Sequence, residues 1–393
     1  MTRDVRVLAR AKLTLSLRVL GVRPDGYHEL EALVVSLRDP HDVVGLRLQA
    51  PFGVRVRLSG RAVIGVPADE TNLAARAARL LLDAAADGED PGPWAASGLD
   101  ISLHKTIPAG AGLGGGSADA AAVIVGGARL LGLRLDTATL AGLGASLGSD
   151  VPFCVLGGAA WMRGRGERID PLAPFPPRSR TPRPDRESRS GTPPPPAAPP
   201  GPPGAAPPGA GSPAVSGPGW PGIPPRPGAG GVPVPPGASR LPGGTPPPGP
   251  SGGSPWPAEP EIGGLALVVA VPPFPLSTPA VYRAWDRLGG PRSARAVPLP
   301  EGLAGLGLPD HLVNDLEPAA EHVEPRLGPF RQALEELAGA PALLAGSGSA
   351  YVVAVSSPAQ AAVLATQVGV ELRATAFATG LAAHGVEAQT GPD

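Results

Sequence analysis

The chain has 393 residues and a formal net charge of −1, without a basic stripe, which argues against a nucleic-acid-binding protein. No apolar run reaches the about 18 residues of a transmembrane helix, and the charged amino-terminal residues lack the apolar core of a signal peptide. The single cysteine, Cys154, excludes an internal disulfide, which is compatible with a reducing cytosol. Taken together, these features lead us to expect a cytoplasmic protein that binds neither a membrane nor nucleic acid.

The first part of the chain alternates strands and helices. Near period-2 alternation predicts strands within residues 5–21, 42–60 and 99–107. Helical periodicity predicts helices within residues 69–86 and 118–133, the first with Asp69 or Thr71 as its N-cap. Asp136 is interpreted as the N-cap of a further helix. The pattern indicates a mixed α and β class.

Proline then changes the character of the chain. Residues 174–260 hold 32 of the 55 prolines, mixed with Gly, Ala and Ser. Such a segment buries too little apolar surface to offset its ordering entropy, so we predict disorder there. Beyond it, residues 264–273 predict a buried strand, and residues 341–356 predict a strand, a glycine-rich turn and a second strand.

A glycine-rich loop follows the strand at residues 99–107. The stretch "KTIPAGAGLGGGS", residues 105–117, contains five glycines and precedes a predicted helix. Backbone N–H groups at such a helix start are suited to bind phosphate, although the Walker A spacing is absent. Gly110, Gly112 and Gly115 also match GxGxxG, which leaves open a nicotinamide dinucleotide site with Asp136 as its acid. A merely flexible loop is the other alternative.

Lysine is rare in this chain. Of 33 basic residues, 31 are Arg, and the two lysines are Lys12 and Lys105. A site that needs a compact ammonium cannot accept the planar guanidinium of Arg, so both lysines are candidates for function. Lys12 lies in an apolar strand, and the alternative to a functional role is a solubilising charge on an edge strand. For Lys105, phosphate neutralisation and a structural ion pair stay open.

Several motifs together resemble the GHMP small-molecule kinases. Residues 108–117 match their phosphate loop, Pro-x3-Gly-Leu-Gly-Gly/Ser-Gly/Ser-Ser. Six further motifs occur in the same order as in that family. Two precede the loop: "AKLTL" around Lys12 and "RPDGYHELEAL" at residues 23–33. Four follow it: "LGSDVPF" with Asp150, "PLSTPAVY" at 275–282, "NDLEP" at 314–318 and "AGSGSAYVV" at 345–353. These motifs are most similar to those of the kinases that act on 4-diphosphocytidyl-2-C-methyl-D-erythritol in the non-mevalonate isoprenoid pathway.

The resemblance implies an α+β fold of two α/β domains. A ribosomal-protein-S5-like domain is expected over residues 1–173, the disordered Pro-rich insertion over 174–260 and a ferredoxin-like domain over 261–393. It further implies ATP and Mg²⁺ as cofactors, phosphoryl transfer to the 2-hydroxyl of the cytidine diphosphate-linked methylerythritol, and a monomer or homodimer.

The resemblance also implies roles for particular residues. Asp150 would accept the hydroxyl proton, with Lys12 bonded to it. Tyr27 and His28 would hold the cytosine, with Tyr282 as a second stacking face and Thr278 as a polar contact. The phosphate site would comprise Pro108, Ala109, Gly110, Ala111, Gly112, Leu113, Gly114, Gly115, Gly116, Ser117 and Ala118, with the Ser117 hydroxyl near Mg²⁺.

Three departures from the family pattern accompany the match. Thr14 stands where the family usually has Asn, and the long insertion replaces a short loop. The turn "GSGSAYV" at residues 346–352 differs slightly from the usual Gly-Ser-Gly-Pro/Ala-Thr. A sibling kinase acting on homoserine or mevalonate is the alternative within the superfamily. The alternatives outside it are the dinucleotide-dependent oxidoreductase and a Pro-rich interaction protein on an inactive kinase scaffold.

Overall fold

The computed structural model describes residues 4–49, 53–86, 97–172, 262–290 and 313–389. All of these residues belong to one compact unit. The predicted insertion, residues 174–260, lies outside the described residues, and the division into two domains around it stays a prediction.

The first part of the chain contains six strands and four helices among its described residues. They are β1 (Asp4–Val22), β2 (His28–Gln49), β3 (Val54–Ser59), α1 (Leu73–Ala86), β4 (Gly98–His104), α2 (Gly115–Leu131), α3 (Thr137–Ala145), α4 (Val151–Leu156), β5 (Ala159–Gly164) and β6 (Arg168–Pro171).

The second part contains five strands and four helices among its described residues. They are β7 (Ile262–Val271), α5 (Thr278–Arg287), α6 (Glu317–Val323), α7 (Leu327–Ala338), β8 (Ala342–Leu344), β9 (Tyr351–Val355), α8 (Pro358–Glu371), β10 (Thr375–Leu381) and β11 (Val386–Gln389).

The long strand β2 joins the sheet of the first part to that of the second. It pairs antiparallel with β1, β4 and β5, and its Leu37 pairs with Leu381 of β10. β10 continues through β7 and β9 to β8, while β11 pairs with β1. Both halves of the chain therefore contribute to one strand path.

Helix α2 packs closely on this sheet because its inner face is made of small residues. A Cβ on Gly126 would lie 2.6 Å from Cγ2 of Val7 in β1, so this position accepts no larger side chain without a shift. Ala120, Ala121 and Val123 of the same helix are fully buried. This contact holds the start of α2 at the end of β4, where the glycine-rich loop lies.

Most element predictions are confirmed, with one correction. Helix α1 begins at Leu73, so Asn72 is the capping residue: its Oδ1 accepts from the Ala74 N–H at 2.8 Å, whereas Asp69 bonds Thr71. Within the motif at residues 23–33, strand β2 begins at His28.

The dinucleotide alternative is wrong at its acidic residue. Asp136 caps α3 by accepting from the Thr139 N–H at 2.8 Å, as predicted, and does not end a buried strand. A dinucleotide site needs that acid at a strand end to reach the ribose.

No helix among the described residues combines the length and the apolar character needed to cross a bilayer.

Candidate active site

The glycine-rich loop and the start of α2 line a cavity of about 330 Å³. Gly110, Gly112 and Gly114 adopt φ values of +70°, +77° and +68°, a conformation that favours glycine. The predicted loop residues Pro108 to Ser117 all line this cavity. Ala118 does not: it is fully buried, and its N–H donates to the Gly114 carbonyl at 2.9 Å.

A second glycine-rich turn, residues 345–350, holds this loop in place. The Ala350 N–H donates to the Ala111 carbonyl at 3.2 Å. A Cβ on Gly112 would lie 2.6 Å from the Ala345 carbonyl oxygen and 2.9 Å from that of Gly348, so only glycine fits there. The two turns, far apart in the sequence, therefore form one rigid rim.

Lys12 and Asp150 form an ion pair beside the loop. Lys12 Nζ lies 3.3 Å from an Asp150 carboxylate oxygen and donates to Thr14 Oγ1 at 3.2 Å. The Lys12 backbone N–H donates to the Leu113 carbonyl at 3.0 Å, which ties β1 to the phosphate loop. Asp150 precedes α4, but its side chain makes no capping bond and is 32% exposed. The carboxylate is thus available to a ligand.

Lys12 and Asp150 line a second, larger cavity of about 760 Å³. Gly112 and Gly114 line both cavities, so the phosphate loop is their common wall. A Cβ on Gly114 would lie 2.7 Å from Cγ of Lys12, so the loop backbone lies directly against the lysine stem. A group bound at the loop and one bound beside Asp150 would be neighbours.

The four residues predicted to bind the acceptor all line the larger cavity: Tyr27, His28, Thr278 and Tyr282. The rings of His28 and Tyr282 lie 4.7 Å apart at 37°, and Thr278 Oγ1 is 2.7 Å from Ser347 Oγ. Tyr27 is 57% exposed. The structure brings together these residues from the β1–β2 turn and from α5, although the sequence separates them by about 250 positions.

Lys105 lies beneath the phosphate loop in a buried cluster with two carboxylates. Its Nζ donates to Asp119 at 2.5 Å and to Asp42, and all three side chains are at most 2% exposed. Asp42 also accepts from the N–H of Ile107 at 3.0 Å. Burial alone would lower the pKa of Lys105, yet the two carboxylates raise it. Of the two alternatives, the structure therefore supports the structural ion pair.

One ammonium cannot neutralise both carboxylates of this cluster. Burial raises the pKa of Asp119 from 3.8 to about 7 against the opposing pull of Lys105, and the Asp42 charge adds to the rise. Its Oδ1 is buried without a hydrogen-bond partner among the described residues. The buried cluster therefore favours a protonated Asp119.

This titration predicts a pH dependence of stability. Between pH about 4 and about 7 the folded chain retains a proton on Asp119 that the unfolded chain releases, so the free energy of unfolding should fall as pH rises. Asp119→Asn should flatten this slope in urea unfolding series, whereas Asp170→Asn, at an exposed position, should not. An unchanged slope in Asp119→Asn would contradict the assignment.

A metal site is not preformed by acidic side chains. Within the described ranges, no three Asp, Glu, His or Cys side chains are placed to hold a metal ion. Ser117, in the first turn of α2, and Asp119 both line the smaller cavity; one Asp119 oxygen pairs with Lys105, and the other is buried without a hydrogen-bond partner among the described residues. A cation bound here would therefore take most of its oxygen ligands from its own ligand or from water.

Three residues near the cavities make contacts to which the sequence assigned no role. Asn314 Nδ2 donates to the carbonyls of Leu344 and Gly346, both at 2.7 Å, and thereby positions the second glycine-rich turn. The Arg165 guanidinium lies 5.0 Å from the Tyr27 ring centroid. Asp286 lies 2.8 Å from His28 Nε2. "NDLEP" signalled Asn314, but no motif pointed to the other two.

Comparison with known proteins agrees with this geometry. Residues 72–158, which include the phosphate loop and Asp150, match the family model "GHMP kinases N terminal domain". A 4-diphosphocytidyl-2-C-methyl-D-erythritol kinase of Pelotomaculum thermopropionicum is 45% identical over 173 residues, 44% of this chain and 56% of the relative. The enzyme of the same name from Methylococcus capsulatus is 46% identical over 169 residues, which are 43% of this chain and 54% of the relative. The chain thus spans about half the length of the curated relatives it matches.

Solved structures extend the likeness to the fold. A crystal structure of 4-(cytidine 5'-diphospho)-2C-methyl-D-erythritol kinase has a TM-score of 0.58 at 27% identity, covering 97% of this chain and all of that one. A homoserine kinase of Cytophaga hutchinsonii has a TM-score of 0.55 at 16% identity, covering 98% and 97%, and shares the fold alone. The glycine-rich loop, the matched region and the fold are all similar to those of the GHMP kinases.

Proposed function

We propose that this protein is an ATP-dependent kinase that phosphorylates the 2-hydroxyl of 4-diphosphocytidyl-2-C-methyl-D-erythritol. One observation carries the proposal: a phosphate-loop cavity and a cavity containing an aspartate–lysine pair share Gly112 and Gly114 as a wall. Phosphoryl transfer needs a phosphate donor and a hydroxyl acceptor held next to each other, with charge neutralisation between them.

Asp150 is the group that orients the acceptor. Its carboxylate is partly exposed to the larger cavity and makes no capping bond, so it can accept the hydrogen bond of a substrate hydroxyl and take its proton. Lys12, 3.3 Å away, pairs with this carboxylate and offers further donors to the transferred group. Thr14 Oγ1 accepts one hydrogen bond from the Lys12 ammonium and thereby orients it.

The loop fits the phosphates of ATP. The N-terminus of α2, with the positive end of its dipole, opens onto the smaller cavity, and the glycines leave their backbone N–H groups unobstructed by side chains. Mg²⁺, when bound, would neutralise phosphate charge, with Ser117 supplying an oxygen ligand. Lys105 also lines this cavity, but its ammonium is buried and paired with Asp42 and Asp119, so in this proposal it supports the loop and does not bind phosphate.

The distal cavity wall fits the cytidine end of the acceptor. The rings of His28 and Tyr282 are in tilted contact, and Tyr27, with Arg165 over its ring, lines the same cavity. Such rings favour a flat base, whereas mevalonate and homoserine carry none. The binding partner in this proposal is therefore a small molecule. The expected quaternary state is a monomer or a homodimer.

A coupled ADP-release assay tests the proposal. Equal concentrations of the cytidylylated methylerythritol, mevalonate and homoserine are offered to the full chain with ATP and Mg²⁺. We expect turnover with the cytidylyl acceptor to exceed that with the other two by orders of magnitude. Comparable turnover with mevalonate or homoserine would refute the acceptor assignment while leaving the kinase assignment in place.

Tyr27 provides a sharper test of the acceptor site. Tyr27→Ala should lower kcat/KM for the cytidylyl acceptor about 10- to 100-fold, because a stacking partner of a base contributes about 1–3 kcal/mol. The KM for ATP should barely change. If the variant instead loses ATP affinity and keeps its acceptor, the two cavities have been assigned the wrong way round.

A further inference from the structure

His28 is held by a contact that the phosphorylation chemistry does not require. Its Nε2 lies 2.8 Å from Oδ1 of Asp286, a residue of α5, and both residues line the larger cavity. The ring is packed against Tyr282 at 4.7 Å and against Trp285, edge-on, at 5.3 Å. The imidazole, 12% exposed, therefore has a defined position and one defined polar partner.

The location of Asp286 is unfavourable for the helix that carries it. Asp286 lies in the last turn of α5, which ends at Arg287, and it is 46% exposed. A negative charge at a helix C-terminus opposes the helix dipole. In the described part of the chain, the Asp286 carboxylate is paired with His28.

The hydrogen bond to Asp286 sets the role of each ring nitrogen. A carboxylate accepts and does not donate, so Nε2 must carry the hydrogen. In the neutral imidazole, Nδ1 is then an acceptor. No hydrogen bond to Nδ1 is present among the described residues, whereas Nε2 is fully used. His28 therefore presents an acceptor through its remaining nitrogen.

We infer that Asp286 is a positioning residue that makes His28 select cytosine over uracil in the acceptor. This inference rests on the proposed function and names the group that determines its base specificity. Cytosine carries a 4-amino donor where uracil carries a 4-oxo acceptor. An acceptor Nδ1 pairs with the amino group and faces the lone pairs of the uracil oxygen, so the uridylyl analogue is disfavoured.

The test compares Asp286→Ala and Asp286→Asn with the wild-type full chain. Two quantities are measured: the ratio of kcat/KM for the cytidylyl acceptor to that for its uridylyl analogue, and the His28 tautomer from imidazole nitrogen shifts. Asp83→Asn is the matched control, because Asp83 is also an exposed aspartate in the last turn of a helix, α1.

We expect the cytidylyl preference of Asp286→Ala to fall about tenfold, as for the loss of an oriented hydrogen bond. The Nε2–H tautomer should lose its predominance in the same variant. Asp286→Asn should be intermediate, because an amide can either accept from or donate to Nε2. The melting temperature of both should stay equal or rise, since a charge that opposes the helix dipole is gone.

The outcomes separate this inference from the proposed function. Unchanged base preference in an active Asp286→Ala, or a wild-type His28 that carries its hydrogen on Nδ1, overturns the inference alone. A lower melting temperature with unchanged preference would assign Asp286 a merely structural role and overturn it too. A wild-type chain without turnover on the cytidylyl acceptor refutes the proposed function, and the cytosine selection with it.

Discussion

Asp150→Asn should lower turnover by about 10²–10⁴-fold, the loss expected when a positioned general base is removed. The amide keeps the size of the carboxylate but takes no proton from the substrate hydroxyl, and it leaves the Lys12 ammonium, 3.3 Å away, without its counter-charge. The phosphate cavity does not include Asp150, so ATP should still bind. Steady-state ADP release measures the first quantity, and calorimetric titration with ATP measures the second.

The matched control for this variant is Asp4→Asn. Asp4 pairs with Arg47 and is about half exposed, and neither residue lines either cavity. The same change of charge and size there should leave turnover within about twofold, as for surface substitutions in general. Near-native turnover in Asp150→Asn would remove Asp150 from the mechanism, whatever the fate of ATP binding.

Lys105→Met should destabilise the fold by about 3–5 kcal/mol, the largest effect on stability that we expect from one substitution outside the apolar core. Methionine has about the length of lysine but no charge, so Asp42 and Asp119 would face each other in a site at most 2% exposed. Urea unfolding at pH 7 measures the loss. A smaller loss is expected at pH 5, where Asp119 holds a proton.

Arg79→Met is the matched control for Lys105→Met. Arg79 pairs with Glu70 at 3.1 Å, but both side chains are more than half exposed, so the pair is screened by water. Its loss should cost less than about 1 kcal/mol. Adding Asp42→Asn to Lys105→Met should recover part of the stability, because one unpaired charge is removed. Equal effects of Lys105→Met and the control would contradict the buried-charge argument.

Lys105 should also affect activity through the loop above it. Its Nζ lies 3.6 Å from the position of a Cβ on Gly115, the first residue of α2. Since Asp119 of the same helix is pulled towards β4 by this lysine, the ion pair fixes how α2 presents its N-terminus. The fraction of Lys105→Met that remains folded should therefore also bind ATP more weakly.

The sequence by itself determined most of the regular structure and the chemical type of the site. Leu99, Ile101 and Leu103 alternate in β4 and are all fully buried, because a period of two places them on one face of the sheet. Asp136 precedes a helix and caps it. The glycine loop, next to a predicted helix start, indicated an anion site because those two local features suffice to aim backbone N–H groups.

Tertiary structure decided how distant segments share the site. Nothing local places Asp42 under Lys105, Asn314 against the turn at Gly346, or Asp286 against His28; each contact spans between 32 and 258 positions. Such contacts depend on which strands pair, here the junction of β2 with both sheets, and side-chain periodicity carries no information on that pairing. Lys12 and Asp150 could be proposed as catalytic residues from the sequence, whereas their closeness to each other and to the glycine-rich loop exists only in the folded chain.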